Sequence, residues 1–242
     1  MADNHQQYSR EIQSIFQLTT RPNFEDAFSN KSRSYSLNDF GHNFPEPSIG
    51  AYFLGNGVGN QWGDLGEKAH RISLYSGYNT RGVYNATHSL PIDGHEALRN
   101  LNSHAMTPPA YLLQQQWTYY FDNDKTGAPL FQMGHSQNTA QIRNALENYP
   151  KELRDRIIVV AIAPLAYIPP NLCMKVTHYV CRSDPVTWID RKGKQACKDT
   201  IIYVPRNRKA KQSCHEFLNP IYSNYIQREI YKYQDLLQNY AN

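Results

Sequence analysis

The sequence lacks any apolar run that approaches the roughly 20 residues a helix needs to cross a bilayer. Its first residues, Met1 to Gln7, are polar and include no hydrophobic region of the kind found in secretory signal peptides. These two absences predict a cytoplasmic protein, or one that is exported without a classical signal peptide.

Cysteine is also scarce. Among 242 residues there are four, Cys173, Cys181, Cys197 and Cys214, and none forms a Cys-x-x-Cys pair. That spacing is typical of structural zinc sites, so we expect no bound metal. We expect free thiols. Cys197 and Cys214 flank a predicted strand and loop, so a disulfide between them is an alternative.

The chain has neither the glycine spacing of a dinucleotide fingerprint nor a P-loop lysine, and we therefore expect no nucleotide cofactor. A net charge of +4 is too small to indicate a nucleic-acid partner. The positive charge is concentrated in residues 191–211. The eight cations there are Arg191, Lys192, Lys194, Lys198, Arg206, Arg208, Lys209 and Lys211, beside the single acid Asp199. This loop is either a solvated surface or a weak contact for an anionic substrate or an anionic membrane.

Length and composition favour one α/β domain, because the chain is 40% hydrophobic and has no repeat or low-complexity linker. Residues 1–48 are rich in Asn, Gln and Ser and are predicted to be a peripheral segment, with the domain at 49–242. Predicted strands lie at 49–54, 81–85, 129–133, 156–163, 175–181 and 200–204, and helices at 65–75, 93–101, 110–121, 137–149 and from 219 onward. This alternation predicts a doubly wound, mainly parallel sheet flanked by helices.

Residues 130–146 contain the most informative motif. A short apolar run leads into Gly134–Asn138, and apolar residues with helical spacing follow at Ile142–Tyr149. This layout is that of a nucleophile elbow, a sharp turn that exposes the hydroxyl of Ser136 above a sheet. Asn138 stands where the usual Gly-x-Ser-x-Gly pattern has its last glycine, at a point where helix and strand approach closely.

A serine hydroxyl needs a neutral imidazole as base and an acid that orients the imidazole. In an open α/β sheet these groups collect at the carboxyl ends of the strands. Asp184 directly follows the strand predicted at 175–181, and Pro185 favours a turn that fixes it there. Asp190 is the nearest alternative acid and Asp199 a weaker one. A surface Asp-Pro turn is the structural alternative for Asp184.

His215 is the candidate base. Of nine histidines it is the one that follows both the serine and the candidate acid. His178 lies inside a predicted strand and precedes Asp184, and His135 is expected to shape the elbow. The structural alternative for His215 is a surface-loop histidine.

The negative charge on an attacked carbonyl requires fixed hydrogen-bond donors. The backbone amide of Gln137, directly after the serine, is one candidate. The glycine-containing loop after the first core strand would supply the other through Asn56 and Gly57. A phosphate-binding loop or a plain flexible turn is the alternative reading of that loop.

Taken together, the glycine loop, the Gly134–Gln137 elbow, Asp184 and His215 resemble the α/β-hydrolase fold over residues 49–240. The Gly-His-Ser-Gln form is similar to that of lipases, carboxylesterases and related acyl hydrolases. The chain is also similar to an uncharacterised family of chlamydial conserved proteins with this core. The resemblance implies a serine hydrolase that needs no cofactor and acts on a small-molecule or lipid acyl ester, or on a thioester. Its nucleophile, base and orienting acid would be Ser136, His215 and Asp184. An inactive binding or effector module and, more weakly, an acyltransferase remain alternatives.

Overall fold

The computed structural model describes residues 32–57, 62–85, 106–206 and 213–241. The helix predicted at 93–101 and most of the predicted peripheral segment lie outside these ranges.

One sheet crosses the described part of the chain. Its strands are β1 (Arg33–Ser36), β2 (Tyr52–Gly55), β3 (Thr80–Tyr84), β4 (Leu130–His135), β5 (Ile157–Ile162), β6 (Lys175–Cys181) and β7 (Ile201–Val204). Their spatial order is β1-β3-β2-β4-β5-β6-β7, and every neighbouring pair is parallel except the antiparallel pair β1 and β3. The predicted doubly wound, mainly parallel sheet is confirmed.

Helices cover both faces of this sheet. They are α1 (Trp62–Ser76), α2 (Pro108–Asn123), α3 (Asn138–Glu147), α4 (Lys151–Arg154), α5 (Arg191–Ala196) and α6 (Pro220–Leu237). Short 3-10 turns lie at Leu37–Phe40, Pro170–Leu172, Val186–Trp188, Lys198–Thr200 and Gln238–Tyr240. Helices α1 and α6 pack on one face, and α2 and α3 pack on the other. No helix in the described ranges combines the length and apolar character of a membrane span.

The interior strand β5, which lies between β4 and β6, has an unbroken apolar sequence because both of its faces are covered. All its residues are buried, with Ile157 and Val159 in the core beneath α2 and α3, and Ile158 and Val160 in the core beneath α1 and α6. Successive side chains of a strand point to opposite faces, so a strand covered on both sides must be apolar throughout.

The sheet begins earlier in the chain than expected. Part of the segment predicted to be peripheral forms β1, and Tyr35 and Leu37 are buried in the core, at 3% and 0% exposure. The hydroxyl of Tyr35 donates to the carbonyl of Leu54 at 3.0 Å. Strand β1 has only four residues, of which Arg33, Ser34 and Ser36 are polar, so no apolar pattern marks it.

One helix end and one additional helix differ from the prediction. The helix after the elbow ends at Glu147 rather than at Tyr149, and Pro150 directly precedes α4. The predicted basic loop contains α5, whose first turn is capped by the Asp190 carboxylate accepting from the amide of Gly193 at 2.9 Å. This short helix could not be predicted because its sequence contains a glycine and polar residues and has no apolar residues at helical spacing.

The sheet topology brings three sequence-distant segments to one edge. In parallel strands the carboxyl ends lie on the same side, so the residues that follow β2, β4 and β6 are neighbours. These are Asn56 and Gly57, Ser136 and Gln137, and Asp184.

Candidate active site

Ser136 lies at the turn between β4 and α3 in a backbone conformation that is rare for a residue with a side chain, with φ of 55°. Several hydrogen bonds hold it there. Its amide donates to the carbonyl of Ile162 at 3.2 Å. Its own carbonyl accepts from the amide and hydroxyl of Thr139, at 3.1 and 2.7 Å, and from the amide of Leu165 at 3.2 Å. The surrounding structure therefore maintains a strained elbow, as such sites require.

Asn138 fits into the elbow although the usual motif has a glycine at this position. The space for its side chain is provided by a glycine on the neighbouring strand, Gly55 of β2. Its side chain is fully buried, and its amide donates to the side-chain oxygen of Gln141 at 2.9 Å. A Cβ placed on Gly55 of β2 would lie only 2.1 Å from Oδ1 of Asn138. The close approach of helix and sheet is thus preserved, with the small residue moved from the helix to the strand.

Ser136, His215 and Asp184 form one continuous chain of hydrogen bonds. Nε2 of His215 lies 2.8 Å from Oγ of Ser136, and Nδ1 lies 2.8 Å from Oδ2 of Asp184. A carboxylate can only accept, so Nδ1 carries the proton and Nε2 is left to accept from the serine hydroxyl. This is the tautomer that a general base needs.

Asp184 is held rigidly at the end of β6. It is fully buried, its amide donates to the carbonyl of Cys181 at 3.0 Å, and its Oδ1 accepts from the amide of Val186 at 3.0 Å. The hydroxyl of Thr187 donates to its carbonyl at 2.9 Å. One carboxylate oxygen is used to fix the side chain, and the other is aimed at the imidazole.

The segment that carries His215 is tethered from two sides. Nε2–H of His135 donates to the carbonyl of His215 at 2.7 Å, and the hydroxyl of Tyr222 donates to the carbonyl of Cys214 at 2.8 Å. Burial, together with the nearby charge of Lys68, holds the pKa of His135 well below its usual value. His135 is therefore neutral, and its hydrogen bond helps to position the segment that carries His215.

The predicted oxyanion residues belong to a buried network of amides. Oδ1 of Asn56 accepts from the amide of Asn85 at 2.7 Å, and its Nδ2 donates to the carbonyls of Gly57 and Asn85, at 2.9 and 3.0 Å. Nδ2 of Asn85 donates to Oε1 of Gln137 at 3.0 Å. A Cβ on Gly57 would lie 2.5 Å from Cβ of Ser136. Asn85 was not predicted from the sequence, although a polar residue at the carboxyl end of a buried strand is a signal for such a position.

Lys68 is a second residue near the site that was not predicted from the sequence. This lysine of α1 is buried, and burial lowers its pKa to about 8, while the charges of Asp64, Glu216 and Glu67 act in the opposite direction. Its charge also contributes to the low pKa of His135. A lysine within the apolar stripe of an amphipathic helix is the sequence signal that could have found it.

The two alternative candidates for the orienting acid, Asp190 and Asp199, do not contact His215 in the described structure. Asp190 accepts from the amides of Gly193 and Tyr167, at 2.9 and 3.0 Å, and lies 3.5 Å from the guanidinium of Arg143. It therefore fastens α5 to the loop after β5. Asp199 is exposed.

His178 is a buried structural histidine. Its Nδ1–H donates to the hydroxyl of Thr200 at 2.8 Å, and its Nε2 accepts from the amide of Ile168 at 3.0 Å. Burial lowers its pKa to about 3, so both ring nitrogens are committed in the neutral form.

The four cysteines are not disulfide-bonded. Cys197 and Cys214 have separate partners, since Sγ of Cys197 lies 3.4 Å from the carbonyl of Ile168 and Sγ of Cys214 lies 3.4 Å from Oγ of Ser183. Within the described ranges, no three His, Cys, Asp or Glu side chains come together as a metal site would require.

Comparison with known proteins gives a fold. No protein-family model and no curated protein sequence matches the chain, so the similarity to chlamydial proteins stays a prediction. Among solved structures, a hyperthermophilic esterase from the archaeon Pyrobaculum calidifontis aligns with a TM-score of 0.52 and 9% identity, over 97% of this chain and 91% of that one. A dienelactone hydrolase from Anabaena variabilis aligns with a TM-score of 0.46 and 12% identity, over 81% and 90% of the two chains. The chain has the α/β-hydrolase fold.

Proposed function

We propose that this protein is a serine hydrolase that cleaves an ester or thioester through an acyl-enzyme. The observation that carries the proposal is the unbroken hydrogen-bond chain from Asp184 through His215 to Ser136. The strained elbow supports it, because the surroundings stabilise a conformation that serves to expose a hydroxyl.

In the first half-reaction, Ser136 Oγ attacks the acyl carbon while Nε2 of His215 takes its proton. Asp184 stabilises the resulting imidazolium and keeps the ring in place. The imidazolium then gives the proton to the leaving alcohol or thiol, and the acyl group remains on the serine. In the second half-reaction, His215 deprotonates water, which attacks the acyl-enzyme and releases the acid.

The oxyanion of each tetrahedral intermediate would be bound by backbone amides. The amide of Gln137 belongs to the first turn at the start of α3, where N–H groups have no partner within a helix. The loop at Asn56 and Gly57 approaches Ser136 from the neighbouring strand, and the Asn56 side chain holds it in place. Donors fixed in this way need no reorganisation as charge develops.

Two other functions use the same structure. An inactive binding or effector module would keep the fold without turnover, and an acyltransferase would replace water with another acceptor. The fit of Asn138 against Gly55 favours a competent elbow over a degenerate one, because the missing glycine is matched by a glycine on the opposite strand.

We expect the purified protein to be labelled by a fluorophosphonate probe, which reacts with activated serines. Labelling should be lost in Ser136→Ala and in His215→Ala, because one lacks the nucleophile and the other its base. A Ser183→Ala variant is the matched control, since Ser183 is a nearby exposed serine outside the chain of hydrogen bonds. Absence of labelling in folded wild-type protein would favour the binding module, and products formed with added alcohols or amines would identify an acyltransferase.

We further propose that the region around α5 contacts an anionic lipid surface and presents lipid esters to the site. Three large apolar side chains near it are exposed: Trp188 at 53%, Ile189 at 44% and Tyr203 at 40%. The cations on and near α5 are Arg191, Lys192, Lys194, Lys198 and Arg206, while Arg208, Lys209 and Lys211 lie outside the described residues. Aromatic residues favour the membrane interface, and each nearby cation contributes about 1 kcal/mol at an anionic bilayer.

Cosedimentation with phosphatidylglycerol vesicles should test this contact. We expect Lys192→Gln combined with Lys198→Gln to weaken binding about 30-fold, since two cations contribute about 2 kcal/mol. Trp188→Ala should also weaken it, whereas Tyr119→Ala, which removes a similarly exposed aromatic side chain on α2, should not. Equal binding to phosphatidylcholine vesicles, or no effect of the lysine changes, would contradict the proposal.

A further inference from the structure

Two cysteines lie side by side next to the acid and the base. Cys181 is the last residue of β6, shortly before Asp184, and Cys214 directly precedes His215. Their sulfur atoms contact the same oxygen, since Oγ of Ser183 lies 3.3 Å from Sγ of Cys181 and 3.4 Å from Sγ of Cys214. Although 33 positions separate them in the sequence, the fold makes these thiols neighbours.

The two thiols differ in access to solvent. Cys181 is fully buried, whereas Cys214 is partly exposed. This arrangement is typical of an attacking and a resolving cysteine. A soluble oxidant can reach the sulfur of Cys214, and the buried sulfur of Cys181 is close enough to react with the oxidised product. Cys173 and Cys197 are buried in other parts of the core and do not share this arrangement.

We propose that Cys181 and Cys214 are a modification site at which a hydroperoxide forms a reversible disulfide that switches off the neighbouring triad. The Cys214 thiolate attacks the peroxide oxygen, the O–O bond breaks, and a sulfenic acid and water or an alcohol result. The Cys181 sulfur then attacks the sulfenic sulfur and displaces water. In total, the two thiols lose two protons and two electrons, and the peroxide takes up both to give water and a second water or an alcohol.

Disulfide formation would disturb the triad through the chain on both sides. A disulfide requires the two sulfurs to lie about 2.05 Å apart, closer than either now lies to the hydroxyl of Ser183. We expect this approach to displace the segment of His215 relative to that of Asp184. The amide of Asp184 donates to the carbonyl of Cys181, so movement at the end of β6 reaches the acid directly. A displacement of about 1 Å in a catalytic group costs on the order of 100-fold in rate.

The environment of Cys214 makes the reaction dependent on pH. Burial raises the pKa of the Cys214 thiol, and the charge of Asp184 acts in the same direction, while the hydrogen bond with Ser183 opposes them. The thiolate is the reactive form, so the rate of oxidation should increase as pH rises above neutrality.

The experiment treats the full chain with hydrogen peroxide and maps its peptides without reduction. We expect one disulfide joining the peptides of Cys181 and Cys214, and a loss of fluorophosphonate labelling of about 100-fold that dithiothreitol reverses. Cys214→Ser should form no such disulfide and should keep its own starting level of labelling after peroxide. Cys173→Ser is the matched control and should respond as the wild-type protein does.

The peptide map tests whether Cys181 and Cys214 form a disulfide, and this result does not depend on catalysis. Only the measurement of fluorophosphonate labelling rests on the proposed function. No disulfide in the wild-type protein, or one that joins other cysteines, would overturn the site. A Cys181–Cys214 disulfide with unchanged labelling would overturn the switch. If the untreated protein is not labelled, the proposed hydrolase function is wrong. The peptide map then still shows whether Cys181 and Cys214 form a disulfide.

Discussion

We expect Asp184→Asn to lower kcat for ester hydrolysis about 10⁴-fold while leaving the protein folded. The carboxylate accepts from Nδ1–H of His215 and so leaves Nε2 free of a proton. An asparagine amide can instead donate to Nδ1, which favours the tautomer with its proton on Nε2. That tautomer cannot accept the proton of Ser136. The loss should appear in kcat rather than in KM, because the contact strengthens as the imidazolium forms.

Asp190→Asn provides the matched control for this change. The same substitution there removes charge from a carboxylate that holds the amides of Gly193 and Tyr167 and lies beside Arg143. We expect the free energy of unfolding to fall by about 1–3 kcal/mol, because asparagine has a single acceptor oxygen and one of the two amides loses its partner, with kcat changed only a few-fold. Urea unfolding and ester kinetics on both variants separate the two roles. A large loss of kcat in Asp190→Asn alone would show that the acid has been misassigned.

The proximity of Ser136, Asp184 and His215 could be predicted because a parallel sheet converts order along the chain into position in space. Ser136 and Asp184 each follow a strand, and the carboxyl ends of parallel strands share one edge. The apolar runs that mark β4, β5 and β6 were sufficient to locate that edge. His215 follows the last strand and could be assigned by its order relative to the serine and the acid.

Other features could not be predicted because they depend on contacts between distant segments. Asn85 acquires its role only when β3 lies beside β2 and its amide reaches Gln137, 52 positions away. Strand β1 has too few apolar residues to be distinguished from a loop. The proximity of Cys181 to Cys214 likewise follows from the fold, because the turn after β6 packs against the loop before α6.

The pairing of Gly55 with Asn138 leads to the second large expected effect. Gly55→Ala would place a Cβ about 2 Å from the Asn138 side chain, a separation that real atoms do not adopt. Overpacking of this kind costs on the order of 1–3 kcal/mol in the free energy of unfolding. Because Asn138 lies two residues after Ser136, we also expect kcat to fall about 100-fold as the elbow shifts.

The reverse change at position 138 should compensate. Asn138→Gly restores the usual elbow pattern and removes the side chain that the new methyl group would meet. In Gly55→Ala/Asn138→Gly, both stability and kcat should recover toward the wild-type values, which gives a coupling energy of about 1–3 kcal/mol in a double-mutant cycle. Gly63→Ala is the matched control, since a Cβ there meets nothing within 4 Å, and it should be neutral or slightly stabilising. Strictly additive effects would mean that the two positions do not share space, and the elbow would then tolerate Asn138 for another reason. Coupling in kcat as well as in stability would connect the departure from the usual motif directly to the position of the nucleophile.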